Sequence, residues 1–246
     1  MRRHVPRIIP ILQDNFAFLF RVGNFNLCID PGDADPIIKA IETSDFPQLD
    51  FILNTHLHAD HVQGNDKLAD RFNAKILSPP LPEQDYRLNS DVSFRILSTP
   101  GHTENHVCFW FKQDQVLFTG DTLFSLGCGR AFFSIDLLFQ SLERLKDLIP
   151  PETRIFCGHE YTLSNAKFAL HVDPENSHLK AVVERVSMQR MQNLPSIPSL
   201  FQDELDSNPF LRSDQTNIKI ALELDSQADP QYVFRRLRQI KDHFPS

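Results

Sequence analysis

The chain has 246 residues, of which 41% are hydrophobic, 23% charged and 10% aromatic. This composition is typical of a globular protein and excludes the collagen-like, low-complexity and disordered classes. The 25 basic and 32 acidic residues give a formal net charge of −7, which disfavours nucleic acid and anionic membranes as partners. We expect one large domain, or one domain with a smaller annex.

The apolar runs and the cysteine spacing of the sequence indicate its cell compartment. No window approaches 18 uninterrupted apolar residues, and the early apolar run at 8–12 is short and interrupted by Pro10, unlike a membrane span or a signal peptide. The four cysteines form no CxxC pair, so neither a disulfide framework nor a zinc ribbon is indicated. We predict a cytoplasmic monomer.

Short apolar runs alternate with helical patterns over the first two thirds of the chain. The predicted strands span 17–22, 26–29, 50–53, 75–77, 92–97, 107–111, 116–119 and 154–157. The predicted helices span 36–42, 60–72, 134–148 and 162–170, the third beginning after the N-cap Ser134. Because strands and helices are interleaved, the pattern predicts an α/β fold with two sheets flanked by helices.

The pattern changes near Asp173, after which a mainly helical region is predicted. Asp173-Pro174 and Asp229-Pro230 each indicate a helix start, with an N-cap followed by proline at the first helical position. The stretch 193–209 predicts a long irregular loop, and 218–224 a weak strand. We therefore predict a catalytic domain at 1–172 and a C-terminal helical domain at 173–246.

The segment after the strand at 50–53 is rich in metal-binding side chains. It contains His56, His58, Asp60 and His61. Residues two apart in an extended chain point the same way, so His56 and His58 can hold one metal ion. If the chain turns into a helix at Asp60, the Asp60 and His61 side chains are aimed at a neighbouring point, where a second ion can bind.

Three later strand ends supply further ligand types. His102 follows the strand at 92–97, Asp121 that at 116–119, and His159 that at 154–157. Each alone is typical of an ordinary loop, but α/β sites are assembled from loops at one sheet edge. Five histidines and two aspartates suffice for two ions with one bridging carboxylate, an arrangement typical of hydrolases. These ligands suit two divalent ions, zinc or else iron or manganese.

The spacing HxHxDH at 56–61 resembles the signature of the metallo-β-lactamase superfamily. Within it, the chain resembles the hydroxyacylglutathione hydrolases (glyoxalase II) nearly end to end. The motifs that carry this resemblance lie at 14–16, 29–33, 99–103, 120–124, 127–130, 157–162 and 208–212. The resemblance implies a four-layer αββα sandwich followed by a helical domain that binds glutathione.

The resemblance also implies roles for individual residues. One metal ion would be held by His56, His58 and His102, the other by Asp60, His61 and His159, with Asp121 as the bridge; Asp60 would also orient or deprotonate the attacking water. The implied reaction is hydrolysis of S-D-lactoylglutathione to D-lactate and glutathione, the second step of methylglyoxal detoxification.

The C-terminal helix has an apolar face at Val233, Leu237, Ile240 and Phe244 and a basic stripe at Arg235, Arg238 and Lys241. By itself such a stripe is typical of a solvated face. The resemblance instead assigns two of its members to the two carboxylates of glutathione, a role suited to basic side chains. The implied glutathione-binding residues are Arg130, Phe132, Tyr161, Arg238 and Lys241.

The sequence departs from the family pattern at three places. Gln63 replaces a common glycine, Phe132 a tyrosine found in some members, and Phe133-Ser134 a common Glu-Gly. None removes a metal ligand. The alternative within the superfamily is a glutathione persulfide dioxygenase, in which one iron would be held by His102 or His58 together with His56 and Asp121. The full ligand set and the basic C-terminal helix favour the hydrolase.

Overall fold

The computed structural model describes residues 4–43 and 48–245. The chain forms two compact units that are discontinuous in sequence. Unit 1 comprises Met1–Ser98, Asn105–Gly120 and Gly158–Glu160, and unit 2 comprises Thr99–Glu104, Asp121–Cys157 and Tyr161–Ser246. The sequence-based division between residues 172 and 173 stays a prediction.

Unit 1 contains a five-stranded sheet covered by helices. Its strands, in spatial order, are β1 (Arg7–Ile11), β2 (Asn15–Val22), β3 (Phe25–Ile29), β4 (Phe51–Leu53) and β5 (Lys75–Leu77). The first three are antiparallel, whereas β3, β4 and β5 are parallel and need crossover connections. These carry the helices α1 (Ala34–Glu42), α2 (Ala59–Val62) and α3 (Asn65–Phe72). Ile37 of α1 and Leu68 of α3 pack with Leu19 and Ile52 in one core.

A second group of strands in unit 1 packs on the other face of this sheet. The strands β6 (Gln84–Arg87), β7 (Ser93–Ser98), β8 (Val107–Phe111) and β9 (Val116–Gly120) form an antiparallel meander. The ring centroids of Phe18 and Phe118 lie 5.2 Å apart, and those of Phe20 and Phe111 lie 4.9 Å apart. Because alternate residues of β2 face opposite sides, this strand is buried on both faces, between the helices and the second group of strands.

Unit 2 is mainly helical. Its elements are β10 (Leu123–Phe124), β11 (Gly127–Cys128), α4 (Ile135–Leu148), β12 (Arg154–Cys157), α5 (Thr162–Val172), α6 (Ser177–Met191), β13 (Ser199–Leu200), α7 (Phe201–Ser207), a 3-10 helix (Pro209–Leu211), α8 (Thr216–Ala221) and α9 (Pro230–His243). The buried Phe234 of α9 contacts Phe139 of α4 at 5.4 Å and Phe210 at 5.6 Å between ring centroids. These contacts hold the C-terminal helix in unit 2.

All the predicted strands up to residue 157 are present, with ends shifted by no more than two residues. The predicted helix at 60–72 is interrupted at Gly64, whose N–H donates to the carbonyl of Pro31 at 2.7 Å. A Cβ at Gly64 would lie 2.5 Å from that oxygen. This close approach divides the segment into α2 and α3.

Three predictions for the C-terminal region are wrong. The segment predicted as a strand at 218–224 contains α8 instead, and the predicted loop at 193–209 contains β13 and α7. Asp173 ends α5 rather than starting a helix, and its buried carboxylate accepts hydrogen bonds from Arg212 and Asn217. The predicted N-caps Ser134 and Asp229 are confirmed, since their side chains accept from Leu137 N and from the backbone N–H groups of the first turn of α9.

The four cysteines, all within the described ranges, are buried free thiols. Among the described helices, none combines the length and the apolar character needed to cross a bilayer.

Candidate metal centre and substrate cavity

The segment that carries the first metal-binding motif is anchored to the end of β3. Asp30 adopts a left-handed backbone conformation with φ of 51° and is almost fully buried. Its carboxylate accepts hydrogen bonds from the Thr55 backbone N–H at 2.8 Å and from the Thr55 hydroxyl at 2.7 Å. This anchor fixes the start of residues 55–61, after which His58 immediately precedes α2, and Asp60 and His61 lie within that short helix.

Asp60, His61 and His159 form a convergent group, which we call the unit 1 triad. Their donor atoms all lie within 4.8 Å of one another. The Nε2 atoms of His61 and His159 are 3.4 Å apart, and Asp60 Oδ2 lies 3.8 Å from the first and 3.5 Å from the second. Two imidazoles and a carboxylate in this arrangement suit a divalent transition metal ion.

The immediate partners of the unit 1 triad also suit a metal ion. Burial raises the pKa of Asp60, but the hydrogen bond from Asn15 and the charges of His61 and His159 outweigh it, and the pKa is lowered below its ordinary value. The Nδ1 atom of His61 lies 3.1 Å from Asp30 Oδ2. With Nδ1 facing a carboxylate, the Nε2 lone pair is available as a ligand.

His56 and His58 lie beside the unit 1 triad. His56 Nε2 is 2.9 Å from His58 Nδ1, and the His56 ring lies 4.2 Å from the His61 ring. The prediction that the His56 and His58 side chains point the same way is therefore confirmed. His106, which the sequence assigns no role, is buried and stacks on His56 at 4.9 Å between ring centroids.

The other two predicted ligands, His102 and Asp121, form a buried pair in unit 2. His102 Nε2 lies 3.5 Å from Asp121 Oδ2, and His102 Nδ1 donates to the backbone carbonyl of Arg130 at 2.8 Å. A Cβ at Gly129 would lie 1.9 Å from the Asp121 carbonyl oxygen and 3.1 Å from His102 Nδ1. A glycine is therefore required at 129 for this pair to form.

The unit 2 pair opens into a cavity of about 430 Å³ within unit 2. All five predicted glutathione-binding residues line it. The lining residues are His102, Asp121, Phe124, Cys128, Arg130, Phe132, Tyr161, Ser164, Asn165, Arg238, Lys241, Asp242 and Phe244. The cavity thus joins metal-ligand types to basic side chains.

The three residues of the basic stripe on α9 have different surroundings. Arg238 is only 4% exposed, and its guanidinium donates to the carbonyl of Cys128 at 2.9 Å and to Asp242 at 3.0 Å, so the interpretation as a solvated face is wrong for it. Half-buried Lys241 donates to the carbonyl of Ser164 at 3.3 Å. Arg235 instead makes two hydrogen bonds of 2.6 Å with Asp136 on the surface.

Burial, followed by the nearby charge of Arg238, lowers the pKa of Lys241 to about 8. Arg130 and Lys167 lower it further, whereas the Cys128 thiol opposes the shift. Crowded positive charge is relieved by a bound anion. The part of the cavity that Arg238 and Lys241 line, which we call its basic end, is therefore suited to binding a carboxylate.

Aromatic side chains line the rest of the cavity. The Tyr161 ring lies 5.4 Å from that of Phe124, and the Phe132 ring lies 5.3 Å from that of His102. Phe132 is 66% exposed, and as a phenylalanine it offers no hydroxyl to a substrate. Sequence reasoning did not identify Cys128 or Asn165 as cavity residues, since their approach to the cavity depends on contacts distant in sequence.

Comparison with known proteins identifies the family. A family model for the hydroxyacylglutathione hydrolase C-terminus matches residues 160–244, and the metallo-β-lactamase superfamily model matches 12–87 and 80–159. Hydroxyacylglutathione hydrolases from Methylococcus capsulatus and Pelagibacter ubique are 40% and 38% identical to the chain. The matches cover 96% and 97% of this chain and 97% and 99% of those relatives.

A solved structure supports the fold alone. The B3 metallo-β-lactamase BLEG-1 is 20% identical, with a TM-score of 0.63 over 84% of this chain and 99% of that one. The predicted fold class, an α/β metallo-β-lactamase fold with a mainly helical C-terminal region, is thus confirmed. The chain belongs to the hydroxyacylglutathione hydrolase family of the metallo-β-lactamase superfamily.

Proposed function

We propose that the protein is a metal-dependent thioesterase that hydrolyses S-(2-hydroxyacyl)glutathione, with S-D-lactoylglutathione as its substrate, to glutathione and a 2-hydroxy acid. Family membership supports the reaction class. The single observation that carries the proposal is the unit 2 cavity, where His102 and Asp121 share one space with Arg238 and Lys241. Such a cavity matches a molecule with a reactive carbonyl in one part and carboxylates in another.

The basic end of the cavity supports recognition of the glutathione part. Glutathione carries two carboxylates, and two basic side chains of α9, the buried Arg238 and the half-buried Lys241, line the cavity. Arg238 is already partly neutralised by Asp242, so Lys241 supplies the less compensated charge. We assign Lys241 to a direct ion pair with a substrate carboxylate.

The ligand types support two bound divalent ions, with zinc proposed and iron or manganese compatible with the same donors. When bound, such ions supply a nucleophile from water at neutral pH and polarise the thioester carbonyl. The distribution of the seven predicted ligands between two subsites, with Asp121 as the bridge, stays a prediction. The protein is further proposed to act as a monomer in the cytoplasm.

The side chains themselves perform the remaining steps. The Asp60 carboxylate, whose pKa is lowered despite its partial burial, accepts a hydrogen bond from the attacking water and orients it. Phe132 and Tyr161 cover the substrate with apolar surface. Glutathione leaves as a thiolate, and because an ordinary thiol has a pKa of about 8.5, the reaction needs no general acid.

The test is thiol release from S-D-lactoylglutathione by the purified protein. We expect release that stops after chelation and returns when divalent metal is added. The matched substrate is the D-lactoyl thioester of N-acetylcysteamine, which has the same acyl group and no carboxylates; its KM should be much higher because the basic end of the cavity has nothing to bind.

Two outcomes would contradict the proposal. One is the absence of thiol release from protein that contains two metal ions per chain. The other is an equal kcat/KM for the two thioesters, which would mean that the protein does not recognise the glutathione part of the substrate. Oxygen consumption with glutathione persulfide, measured on the same preparation, would identify the dioxygenase alternative.

A further inference from the structure

The turn between β1 and β2 lies directly against the unit 1 triad. Asn15 and His159 form an antiparallel bridge. Around it, the backbone N–H of Phe16 donates to the carbonyl of Gly158, and that of Glu160 donates to the carbonyl of Asp14, both at 2.8 Å. These backbone bonds fix the position of Asp14 and Asn15 relative to His159.

The side chains of Asp14 and Asn15 each contact one member of the triad. His159 Nδ1 donates to Asp14 Oδ1 at 2.9 Å, which leaves Nε2 as the nitrogen that faces His61. Asn15 is buried, and its Nδ2 donates to Asp60 Oδ2 at 2.8 Å. Asp14 thus fixes the tautomer of one imidazole, and Asn15, the first residue of β2, fixes the direction of the carboxylate.

We propose that Asp14 and Asn15 are positioning residues that set the metal affinity of the Asp60–His61–His159 subsite. Neither is a ligand. A carboxylate on the distal nitrogen of a metal-binding histidine fixes the ring and raises its basicity, and the loss of such a partner typically weakens metal binding by 10–100-fold. The proposal rests on the proposed role of the triad in metal binding.

Two carboxylates face histidines of the triad, those of Asp30 and Asp14. Asp14 is the better one to replace in a test. Asp30, beside His61, is 1% exposed and also holds Thr55, so its replacement would disturb the fold of the whole segment. The Asp14 side chain is 37% exposed. Asp14→Asn therefore removes the charge and retains the shape without leaving a buried charge unpaired.

The experiment is a zinc titration of the metal-free full-length protein in competition with a chromogenic chelator. For Asp14→Asn we expect one of the two ions to bind roughly 10–100-fold more weakly than in the wild type, and the other to bind unchanged. Asp14→Glu, which keeps a carboxylate, should recover part of that affinity. Asp35→Asn, with the same change of charge at a side chain that is 74% exposed in unit 1, is the control and should match the wild type.

Thermal unfolding of the metal-free forms separates positioning from a merely structural role. The metal-free Tm of Asp14→Asn should equal that of Asp35→Asn, and only the rise in Tm on adding zinc should be smaller. Unchanged affinity for both ions, or a metal-free Tm lowered as much as the metal-loaded one, would overturn the proposal. The wild-type titration and thiol-release assay test the proposed function separately, because they use no variant.

Discussion

Histidines in the two units are held in place by different partners. In the unit 1 triad, the distal nitrogens of His61 and His159 face the carboxylates of Asp30 and Asp14 at 3.1 and 2.9 Å. In unit 2, the distal nitrogen of His102 donates to a backbone carbonyl, that of Arg130, at 2.8 Å. A carboxylate partner makes an imidazole more basic, whereas a carbonyl mainly fixes its orientation.

We propose that the two groups of residues have different tasks. The unit 1 residues are gathered by strand ends and a short helix, and we propose that they hold a metal ion. The unit 2 pair lines a cavity that also contains Arg238 and Lys241, the two side chains that we propose bind the substrate carboxylates. We therefore expect changes in unit 1 to alter metal affinity and kcat, and changes at the basic end of unit 2 to alter KM.

The largest effect is expected at Asp121, the predicted bridge. Asp121→Asn keeps the volume of the side chain and removes its negative charge. Loss of a residue that only supports a metal ligand lowers activity by at most about 100-fold, so loss of a ligand itself should lower kcat by more than that. The metal content should also fall below that of the wild type. Metal analysis and thiol release on the same samples check this. Asp136→Asn, a surface aspartate of unit 2 paired with Arg235, is the control; full metal content and full rate in Asp121→Asn would exclude the bridging role.

A smaller effect is expected at Lys241. Lys241→Met retains the aliphatic stem and loses the charge, and a hydrogen bond to a charged group contributes about 1.5–3 kcal/mol. KM for S-D-lactoylglutathione should therefore rise roughly 10–100-fold with kcat little changed, the pattern of lost uniform binding. Lys167→Met removes the same charge at an exposed neighbour on α5 and should change KM by less than about twofold. A fall in kcat at unchanged KM would place Lys241 in the metal-dependent chemistry instead.

The pH dependence of KM gives a third, smaller effect. The pKa of Lys241 is lowered to about 8 in the free protein, and a bound carboxylate favours the charged form and raises this pKa. Binding is therefore strongest below pH 8 and weakens above it, with KM rising roughly fourfold between pH 7 and 8.5 for a single group of this pKa. In Lys241→Met this rise should disappear. A wild-type KM that stays constant over this range would contradict the role of the Lys241 charge.

The two regions also differed in what the sequence could predict. The spacing of His56, His58, Asp60 and His61 is local, so extended-chain geometry alone placed the first two side chains together. No local pattern distinguishes the buried Arg238 from the exposed Arg235 three residues earlier, because the difference arises from Cys128 and Asp136, which are about 100 residues away. Only the family resemblance selected Arg238 and Lys241, the two members of the stripe that line the cavity.

The same limit explains the wrong predictions near the C-terminus. Ile218 to Leu224 has an apolar pattern compatible with a strand, but α8 forms there and buries Ile218. Asp173 has the sequence of an N-cap, yet Arg212 and Asn217 bind its carboxylate. Long-range partners overrode local preference at both places.

The smallest effect is expected at Asp229, the N-cap of α9. Its replacement tests whether substrate binding depends on the position of the helix or on the charges that the helix carries. The Asp229 carboxylate accepts from Gln231 N at 3.0 Å and Tyr232 N at 3.1 Å. Asp229→Ala should lower the free energy of unfolding by about 1 kcal/mol, while Asp229→Asn, which keeps a capping oxygen, should lower it less.

KM should change by less than about twofold in both Asp229 variants. Val233, Phe234 and Leu237 of α9 are fully buried, and the burial of each side chain stabilises the docked helix by about 1.5–3 kcal/mol. The helix thus keeps its place when the cap is lost. Chemical denaturation and KM, measured on the same preparations, check the prediction. A KM for Asp229→Ala as high as that of Lys241→Met would mean that the docking of α9, rather than the charge of Lys241, controls substrate binding.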